Sequence, residues 1–146
     1  VLRRASAYLE QVTGGRYPQL LLEEGSGDGE LRVRDAEGGD HPVATDSAAL
    51  SRGTRDQVYL ALRLAVADHL DAGHERLPLL LDEVFVHWDP QRQEAGLAAL
   101  KGMAGDRQVL LFTCHPELAE RAGRALNTEP VTLVEPTESA GGAAQG

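Results

Sequence analysis

The segment that most constrains the fold is an unbroken apolar run, Leu77-Pro78-Leu79-Leu80-Leu81, which ends in Asp82-Glu83. A strand that is apolar on both faces is typical of a central parallel strand covered on both sides. A second buried strand is predicted at 108–113 and a last short one at 131–134. Because strands and helices alternate from Leu77 onward, the sequence predicts an α/β fold with a mostly parallel sheet flanked by helices.

Four segments have the apolar spacing or the end signals of helices. Thr54 and Gln57 have the spacing of a capping box at the start of the second segment. A wide apolar stripe predicts that this second helix is well buried; the stripe consists of Val58, Ala61, Leu62, Ala65 and Val66. The four segments are Val1 to Val12, Ser51 to Leu70, a helix capped by Asp89 with Pro90 at its first position and running to about Met103, and Pro116 to about Leu126.

Between the first two helices, residues 17–45 are predicted to form an antiparallel meander. Glu30 to Arg34 alternates apolar and polar residues, which indicates a strand with one buried and one wet face. Residues 25–29 fit a hairpin loop after a strand at 19–22, and a third strand is expected near Pro42-Val43. From residue 23 to residue 46 there are eight acidic residues against two arginines, so a solvated acidic edge is expected.

Charge and cysteine content exclude several kinds of function. The 146 residues carry 14 basic and 23 acidic side chains, a formal net charge of −9. A broad nucleic-acid-binding surface needs a clustered basic face, which this composition does not favour. One cysteine excludes an intrachain disulfide framework and a four-cysteine zinc site. No apolar run approaches the roughly 18 residues of a membrane span and the start lacks a signal-peptide pattern, so a cytoplasmic setting without membrane contact is expected.

Polar side chains follow the two buried strands, at the sheet edge where α/β proteins carry their chemistry. Asp82 can hold Mg²⁺ through water, and Glu83 can accept a proton from an attacking water or orient it. His115 can donate to a γ-phosphate oxygen. These residues also have plainer interpretations: the Asp-Glu pair simply ends a strand in solvent, and His115 is a structural residue. Cys114, between the second strand and His115, is interpreted as a small packing residue.

The segment Leu50-Ser51-Arg52-Gly53-Thr54-Arg55-Asp56-Gln57 lies at the predicted N-terminus of the second helix. Exposed backbone N–H groups, a serine hydroxyl and the positive end of the helix dipole together bind phosphate oxygens. The plainer interpretation is an ordinary Ser51 N-cap.

Taken together, these segments resemble the motifs of ABC-type ATPases. LSRGTRDQVYLALRLA resembles the signature motif and its helix, LPLLLDE the Walker B strand, VHWDP the D-loop and LLFTCHP the switch-histidine loop. Their order and spacing resemble the carboxyl-terminal lobe of SMC-like heads, the group that includes SMC, RecF, RecN, the SbcC-type break-repair ATPases and bacterial YhaN-like proteins.

The resemblance implies an ATPase that uses ATP and Mg²⁺. It implies that Asp82 coordinates Mg²⁺ through water, that Glu83 is the catalytic base and that His115 contacts the γ-phosphate. In such heads, hydrolysis takes place when two heads dimerise around ATP.

The resemblance also implies which residues act across the dimer. Ser51, Arg52, Gly53 and Thr54 would bind the γ-phosphate of the ATP held by the opposing head, and Asp89 would lie at the dimer interface. Arg52 stands where the group often has glycine. Its bulk would crowd the interface, or its charge would reach the phosphate.

The chain contains no G-x-x-x-x-G-K-[ST] phosphate loop. In SMC-like heads this Walker A loop lies on the amino-terminal lobe, across the coiled coil. The resemblance therefore implies that residues 1–134 are the carboxyl-terminal lobe: 1–13 ends a coiled-coil helix, 17–45 is the meander and 50–134 is the α/β part. Residues 135–146 have no periodicity, so a disordered tail is expected.

The implied partners are the Walker A lobe of the same parent protein and a second head, which would form a homodimer. DNA is implied for the parent, through contacts outside this acidic lobe, and so is a nuclease partner. The implied role is DNA repair or chromosome organisation, which is compatible with association with the nucleoid.

Two other interpretations stay open. A degenerate, non-catalytic head would serve as a dimerisation and interaction module; Arg52 favours it, whereas Glu83 and His115 argue against it. A transporter nucleotide-binding domain is disfavoured, because the residues before the signature are a helix end and an acidic meander rather than a phosphate loop.

Overall fold

The structure, a computed structural model, describes residues 1–23, 29–44 and 48–132. Most of the expected hairpin loop and all of the expected tail lie outside these ranges. None of the helices within them is long and apolar enough to cross a membrane. The elements are α1 (Leu2–Val12), β1 (Gln19–Glu23), β2 (Glu30–Arg34), β3 (Asp40–Pro42), α2 (Arg52–Leu70), β4 (Leu79–Asp82), α3 (Pro90–Met103), β5 (Val109–Phe112) and α4 (Pro116–Leu126).

The acidic segment forms the predicted antiparallel meander, in the order β1-β2-β3. Leu20 and Val33 lie opposite each other in β1 and β2, and both are buried. Across β2 and β3, Arg34 Nε lies 2.9 Å from Asp40 Oδ1, and this hydrogen-bonded pairing holds the pKa of the Asp40 carboxyl below its usual range. The third strand spans Asp40–Pro42, slightly before the expected Pro42-Val43.

Helices α1 and α2 pack against each other in the core. Ala5, Leu9 and Val12 of α1 are fully buried. Gln57 of α2 is 1% exposed and donates from Nε2 to the carbonyl oxygen of Val12 at 2.6 Å. This hydrogen bond satisfies a buried polar side chain and joins the two helices.

The buried side of α2 differs in part from the predicted stripe. Val66 is 42% exposed, so its predicted place in the stripe is wrong. The buried arc of the helix is turned away from Val66 and toward Leu60 and Leu64. Its buried apolar members are Val58, Leu60, Ala61, Leu64 and Ala65, and Leu62 is half-buried.

Helix α2 is capped by Ser51, and the predicted capping box at Thr54 and Gln57 is wrong. Ser51 Oγ accepts a hydrogen bond from the Thr54 backbone N–H at 3.2 Å and lies 2.9 Å from Thr54 Oγ1. Thr54 is therefore already in the first turn, and Gln57 is engaged with α1 instead. The plainer interpretation of Ser51, as an N-cap, is what the backbone adopts.

A buried ion-pair network joins α1 and α2 to the start of β5. Arg107 Nη2 donates to Asp68 Oδ1 at 2.9 Å and lies 2.6 Å from Asp71 Oδ2, the latter an ion pair without an aligned hydrogen bond. Tyr8 donates its hydroxyl to Asp68 Oδ2 at 2.6 Å. Burial and this hydrogen bond raise the pKa of Tyr8 to about 12. The network thereby ties the beginning of β5 to the helical core.

The strands β4 and β5 pair in parallel, with Leu79 opposite Val109 and Asp82 opposite Phe112. One face of this pair packs on the core, where Leu81 is buried. The other face is open, and Leu80 on it is 64% exposed. The expectation that these strands are covered on both sides is therefore wrong, because nothing in the described residues covers Leu80.

The predicted limits of α3 and α4 are confirmed at both ends. Asp89 Oδ1 accepts a hydrogen bond from the Arg92 backbone N–H at 3.0 Å, and Pro90 occupies the first turn. Of the last predicted strand, residues 131 and 132 have no strand pairing, and 133–134 lie outside the described ranges.

Two aromatic rings packed on Gly96 hold the turn between β4 and α3. Phe85 and Trp88 are buried and meet edge to face, with ring centroids 5.0 Å apart. A Cβ added at Gly96 would clash with the Phe85 ring and lie 2.8 Å from a ring carbon of Trp88. Gln93 donates from Nε2 to the Trp88 carbonyl oxygen at 3.1 Å. The turn is thus fixed against α3 by contacts that admit only glycine at position 96.

We expect Gly96→Ala to lower the free energy of unfolding by about 1–3 kcal/mol, the usual cost of overpacking a core. Gly102→Ala is the matched control, because it lies in the same helix with no atom within 4 Å of its added Cβ. The better helix propensity of alanine should make that variant more stable by up to about 1 kcal/mol. Urea unfolding followed by circular dichroism measures both changes, and equal changes would contradict the packing described for Gly96.

Candidate functional site

The carboxyl ends of β4 and β5 bring together four polar residues: Glu83, Thr113, Cys114 and His115. The parallel register sets this meeting, because Asp82 and Phe112 end the two strands opposite each other. The Glu83 backbone N–H donates to the Phe112 carbonyl oxygen at 3.0 Å, which continues the pairing one residue beyond β4.

Glu83 is held in a left-handed backbone conformation, with φ of 48°. This conformation is uncommon for residues other than glycine and turns the chain sharply out of the sheet. From the end of β5, its carboxylate accepts hydrogen bonds from Thr113 Oγ1 at 3.0 Å and from the Cys114 backbone N–H at 2.5 Å. Thr113 Oγ1 also accepts from the His115 backbone N–H at 3.1 Å. One hydroxyl therefore links the carboxylate to the histidine loop.

These contacts favour the charged form of Glu83. Hydrogen bonds from the Cys114 thiol and backbone N–H hold the pKa of the Glu83 carboxyl below its usual range, with smaller help from Thr113 and the nearby His115. The same interaction raises the pKa of the Cys114 thiol. Cys114 is exposed, so its predicted role as a packing residue is wrong. At neutral pH the site thus pairs a carboxylate with a protonated thiol.

Asp82 is the last residue of β4 and is exposed. Alternation along the strand puts it on the same face as Leu80, the open face of the sheet. A carboxylate oxygen in this position has the hard donor character that Mg²⁺ requires, so Asp82 fits the predicted role of a magnesium ligand.

Residues 50–57, which resemble the signature motif, lie against the turn that leads into α3. Ser51 caps α2, Arg52 is exposed and Gly53 is buried. A Cβ on Gly53 would lie 3.0 Å from the His87 carbonyl oxygen and 3.0 Å from Arg92 Nη1. A larger residue than glycine would therefore press on the segment that precedes α3.

Arg92 also connects this segment to the predicted D-loop residue. Its Nε lies 3.1 Å from Asp89 Oδ2 while its guanidinium approaches Gly53. The sequence motifs assign no role to Arg92, although i,i+3 from Asp89 is the spacing of a helical ion pair. They assign no separate role to Thr113, and it is the parallel register that brings its hydroxyl to Glu83.

The chain matches no protein-family model. It is 32% identical over 121 residues to the uncharacterised protein YhaN of Bacillus subtilis, an alignment that covers 82% of this chain. That alignment spans only 12% of YhaN.

Solved SMC heads have a similar fold. The SMC head of Thermotoga maritima matches with a TM-score of 0.61 and 21% identity, covering 84% of this chain and 40% of that one. An SMC ATPase studied for ATP-driven dimerisation and DNA-stimulated activation matches with a TM-score of 0.59 and 19% identity, covering 80% of this chain and 71% of that one. The Pyrococcus furiosus Smc head bound to the C-terminal domain of ScpA matches with a TM-score of 0.58 and 18% identity, covering 83% of this chain and 29% of that one. These likenesses confirm the fold that the motifs implied.

We expect Cys114→Ala to raise the pKa of the Glu83 carboxyl toward its usual value, because the variant loses the thiol donor. Cys114→Ser is the matched control, since a hydroxyl can still donate and should keep that pKa low. A folded-state pKa below the unfolded value adds stability at high pH, which is lost as the pH falls through the folded value. In the alanine variant that loss should begin at higher pH. Carbon-detected NMR titration of the Glu83 carboxyl measures the midpoints, and identical midpoints in both variants would contradict this account.

Proposed function

Because the chain has the half-domain fold of SMC-like ATPase heads, we propose that it supplies the carboxyl-terminal lobe of an ATP-hydrolysing head. The observation that carries the proposal is the contact of Glu83 with the 113–115 loop at the ends of β4 and β5. That contact joins the strand-end carboxylate and the histidine loop, the two features that the resemblance assigns to hydrolysis.

In this proposal Glu83 is the catalytic base. Its lowered pKa keeps it ionised at neutral pH, so it is ready to accept a proton from water. A carboxylate offers about four lone-pair sites. The Thr113 hydroxyl and the Cys114 backbone N–H take one on each oxygen, and the Cys114 thiol takes a third. The remaining site is available to orient the attacking water. His115 is the residue proposed to donate to the γ-phosphate.

Asp82 would hold Mg²⁺ beside the bound nucleotide. When bound, Mg²⁺ neutralises charge that develops on the phosphates of ATP. Glu83, one residue further on, is turned toward β5 by its own backbone conformation. The two carboxylates can thus have separate tasks although they are neighbours in sequence.

The signature residues would act on the ATP of a second head. The N-terminal end of the 19-residue helix α2 consists of two exposed residues, Ser51 and Arg52, followed by two buried ones, Gly53 and Thr54. Backbone N–H groups and the helix dipole at such an end favour binding of a phosphate group. Gly53 lets this end lie close to the segment that carries Asp89. We propose that a change at either segment is transmitted to the other within the head dimer.

The open face of β4 and β5 is the proposed contact with the Walker A lobe. The chain has no phosphate loop, and in this proposal that lobe comes from another part of the parent protein. Covering Leu80 and its neighbours would complete the apolar sheet. DNA repair or chromosome organisation is the proposed role of the parent, in line with its SMC-like fold.

The test is Glu83→Gln in a head completed by the Walker A lobe. Glutamine can still accept the Cys114 backbone hydrogen bond through its carbonyl oxygen, and its amide NH2 group can donate to the Thr113 hydroxyl oxygen instead of accepting from it. It cannot take up a proton. We expect ATP hydrolysis to fall by about 10²–10⁴-fold, the usual contribution of a general base. Light scattering should show that the molar mass of the Glu83→Gln head doubles in the presence of Mg-ATP and not in its absence.

Glu120→Gln is the control, because its carboxylate is exposed on α4 and, within the part of the chain that the structure describes, its ion pair is with the similarly exposed Arg124 at 3.8 Å. It should hydrolyse ATP like the wild type. A Glu83→Gln head that binds ATP yet stays monomeric would favour the non-catalytic or degenerate head. An undiminished hydrolysis rate would reject Glu83 as the base.

A further inference from the structure

Three different metal-ligating side chains converge at the ends of β4 and β5. The Glu83 carboxylate, the Cys114 thiol and the His115 imidazole each place a ligand atom within 4.8 Å of the others. Glu83 is half-buried, whereas Cys114 and His115 are exposed, so an ion can approach from solvent.

The donor set indicates which ion would bind. Zn²⁺ takes sulfur, imidazole nitrogen and carboxylate oxygen together, at bond lengths that put tetrahedral ligands about 3.3–3.8 Å apart. Small side-chain rotations can close the remaining distance. Mg²⁺ takes oxygen donors and is poorly served by sulfur and nitrogen. The cluster therefore selects a borderline-soft cation against the Mg²⁺ that accompanies ATP.

The surroundings also favour a defined site. Thr113 Oγ1 and the Cys114 backbone N–H orient the Glu83 carboxylate from the side of β5. The same hydroxyl fixes the His115 backbone. Such outer-shell hydrogen bonds hold metal ligands in place and commonly tune affinity.

We propose that Glu83, Cys114 and His115 form an inhibitory Zn²⁺ site, with water in the fourth position. On binding, the thiol proton is released to solvent and the sulfur binds the metal as a thiolate. The carboxylate and the thiolate balance the two positive charges of Zn²⁺, while the imidazole binds as the neutral form. The inhibition, though not the binding, rests on the proposed function. A bound ion would occupy Glu83, the proposed base, and His115, the residue proposed to contact the γ-phosphate.

Binding is tested on the full 146-residue chain under reducing conditions, by calorimetry with zinc chloride. One ion per chain is expected. Cys114→Ser and His115→Gln should each weaken it by more than about 100-fold, since loss of even an outer-shell partner costs about 10–100-fold. His74→Gln, an exposed histidine elsewhere, is the matched control and should bind like the wild type.

Cobalt chloride gives a second, spectroscopic readout. A thiolate-to-cobalt charge-transfer band is expected for the wild type and should be absent in Cys114→Ser. No zinc binding, or binding that Cys114→Ser leaves unchanged, would overturn the site. Circular dichroism of each variant checks that lost binding is not lost folding.

Inhibition is tested in the head completed by the Walker A lobe, with Mg-ATP in excess. For each variant, the rate with zinc is divided by its own rate without zinc. The ratio should fall in the wild type, recover with a chelator, and stay near one in Cys114→Ser. A bound zinc ion that leaves the wild-type ratio at one would overturn the inhibitory role. A head that never hydrolyses ATP would instead defeat the proposed function, while the calorimetry on the chain still decides the zinc site.

Discussion

The in-register parallel pairing of β4 and β5 is the constraint on which the candidate site depends. Because Asp82 lies opposite Phe112, the residue after β4 meets the three residues after β5 at one edge. A shift of one residue would separate Glu83 from Thr113 and abolish the hydrogen bonds that aim the carboxylate. The register is supported from both ends: the Arg107 network fixes where β5 begins, and the rings on Gly96 fix the turn that follows β4.

The open face of this pair has an energetic consequence. Two short strands are marginal by themselves, and here the helices stabilise only one of their faces. Fully burying a leucine or phenylalanine side chain contributes about 1.5–3 kcal/mol. Leu80, Leu110 and Phe112 are all partly exposed, so a second lobe laid over them would stabilise the strands that hold Glu83. Binding of the proposed second lobe would then also order the edge that carries Glu83.

Local chemistry made part of the fold predictable. The start of α3 is predicted by Asp89 followed by Pro90, and the start of α4 is predicted by Pro116. Both starts are confirmed. Apolar alternation likewise predicted the meander. The errors arise where distant residues decide: Gln57 was assigned to a local cap but reaches α1, and Val66 is exposed because the packing of α2 is turned toward Leu64.

The candidate site could likewise be predicted only in its local features, because the contacts between its residues depend on distant parts of the chain. The sequence indicates polar residues at two strand ends, and general topology places such ends at one edge. It does not indicate which atoms meet. That the Thr113 hydroxyl and the Cys114 amide would take one lone pair on each Glu83 oxygen depends on register and on the backbone turn at Glu83. The exposure of Cys114 was missed because an apolar strand favours burial of its neighbours.

The Cys114 thiol gives the site a metal-binding property that the proposed hydrolysis of ATP does not need. Glu83 needs donors that hold it and leave lone pairs free, and the Cys114 thiol, the Cys114 backbone N–H and the Thr113 hydroxyl provide them. A serine at 114 could supply the side-chain donor equally well, but it would offer Zn²⁺ a much poorer ligand. For holding the Glu83 carboxylate, sulfur therefore offers little that a hydroxyl at this position would not. The distinctive property of sulfur is affinity for a softer cation, and Cys114 lies where a bound cation would occupy the proposed base, Glu83.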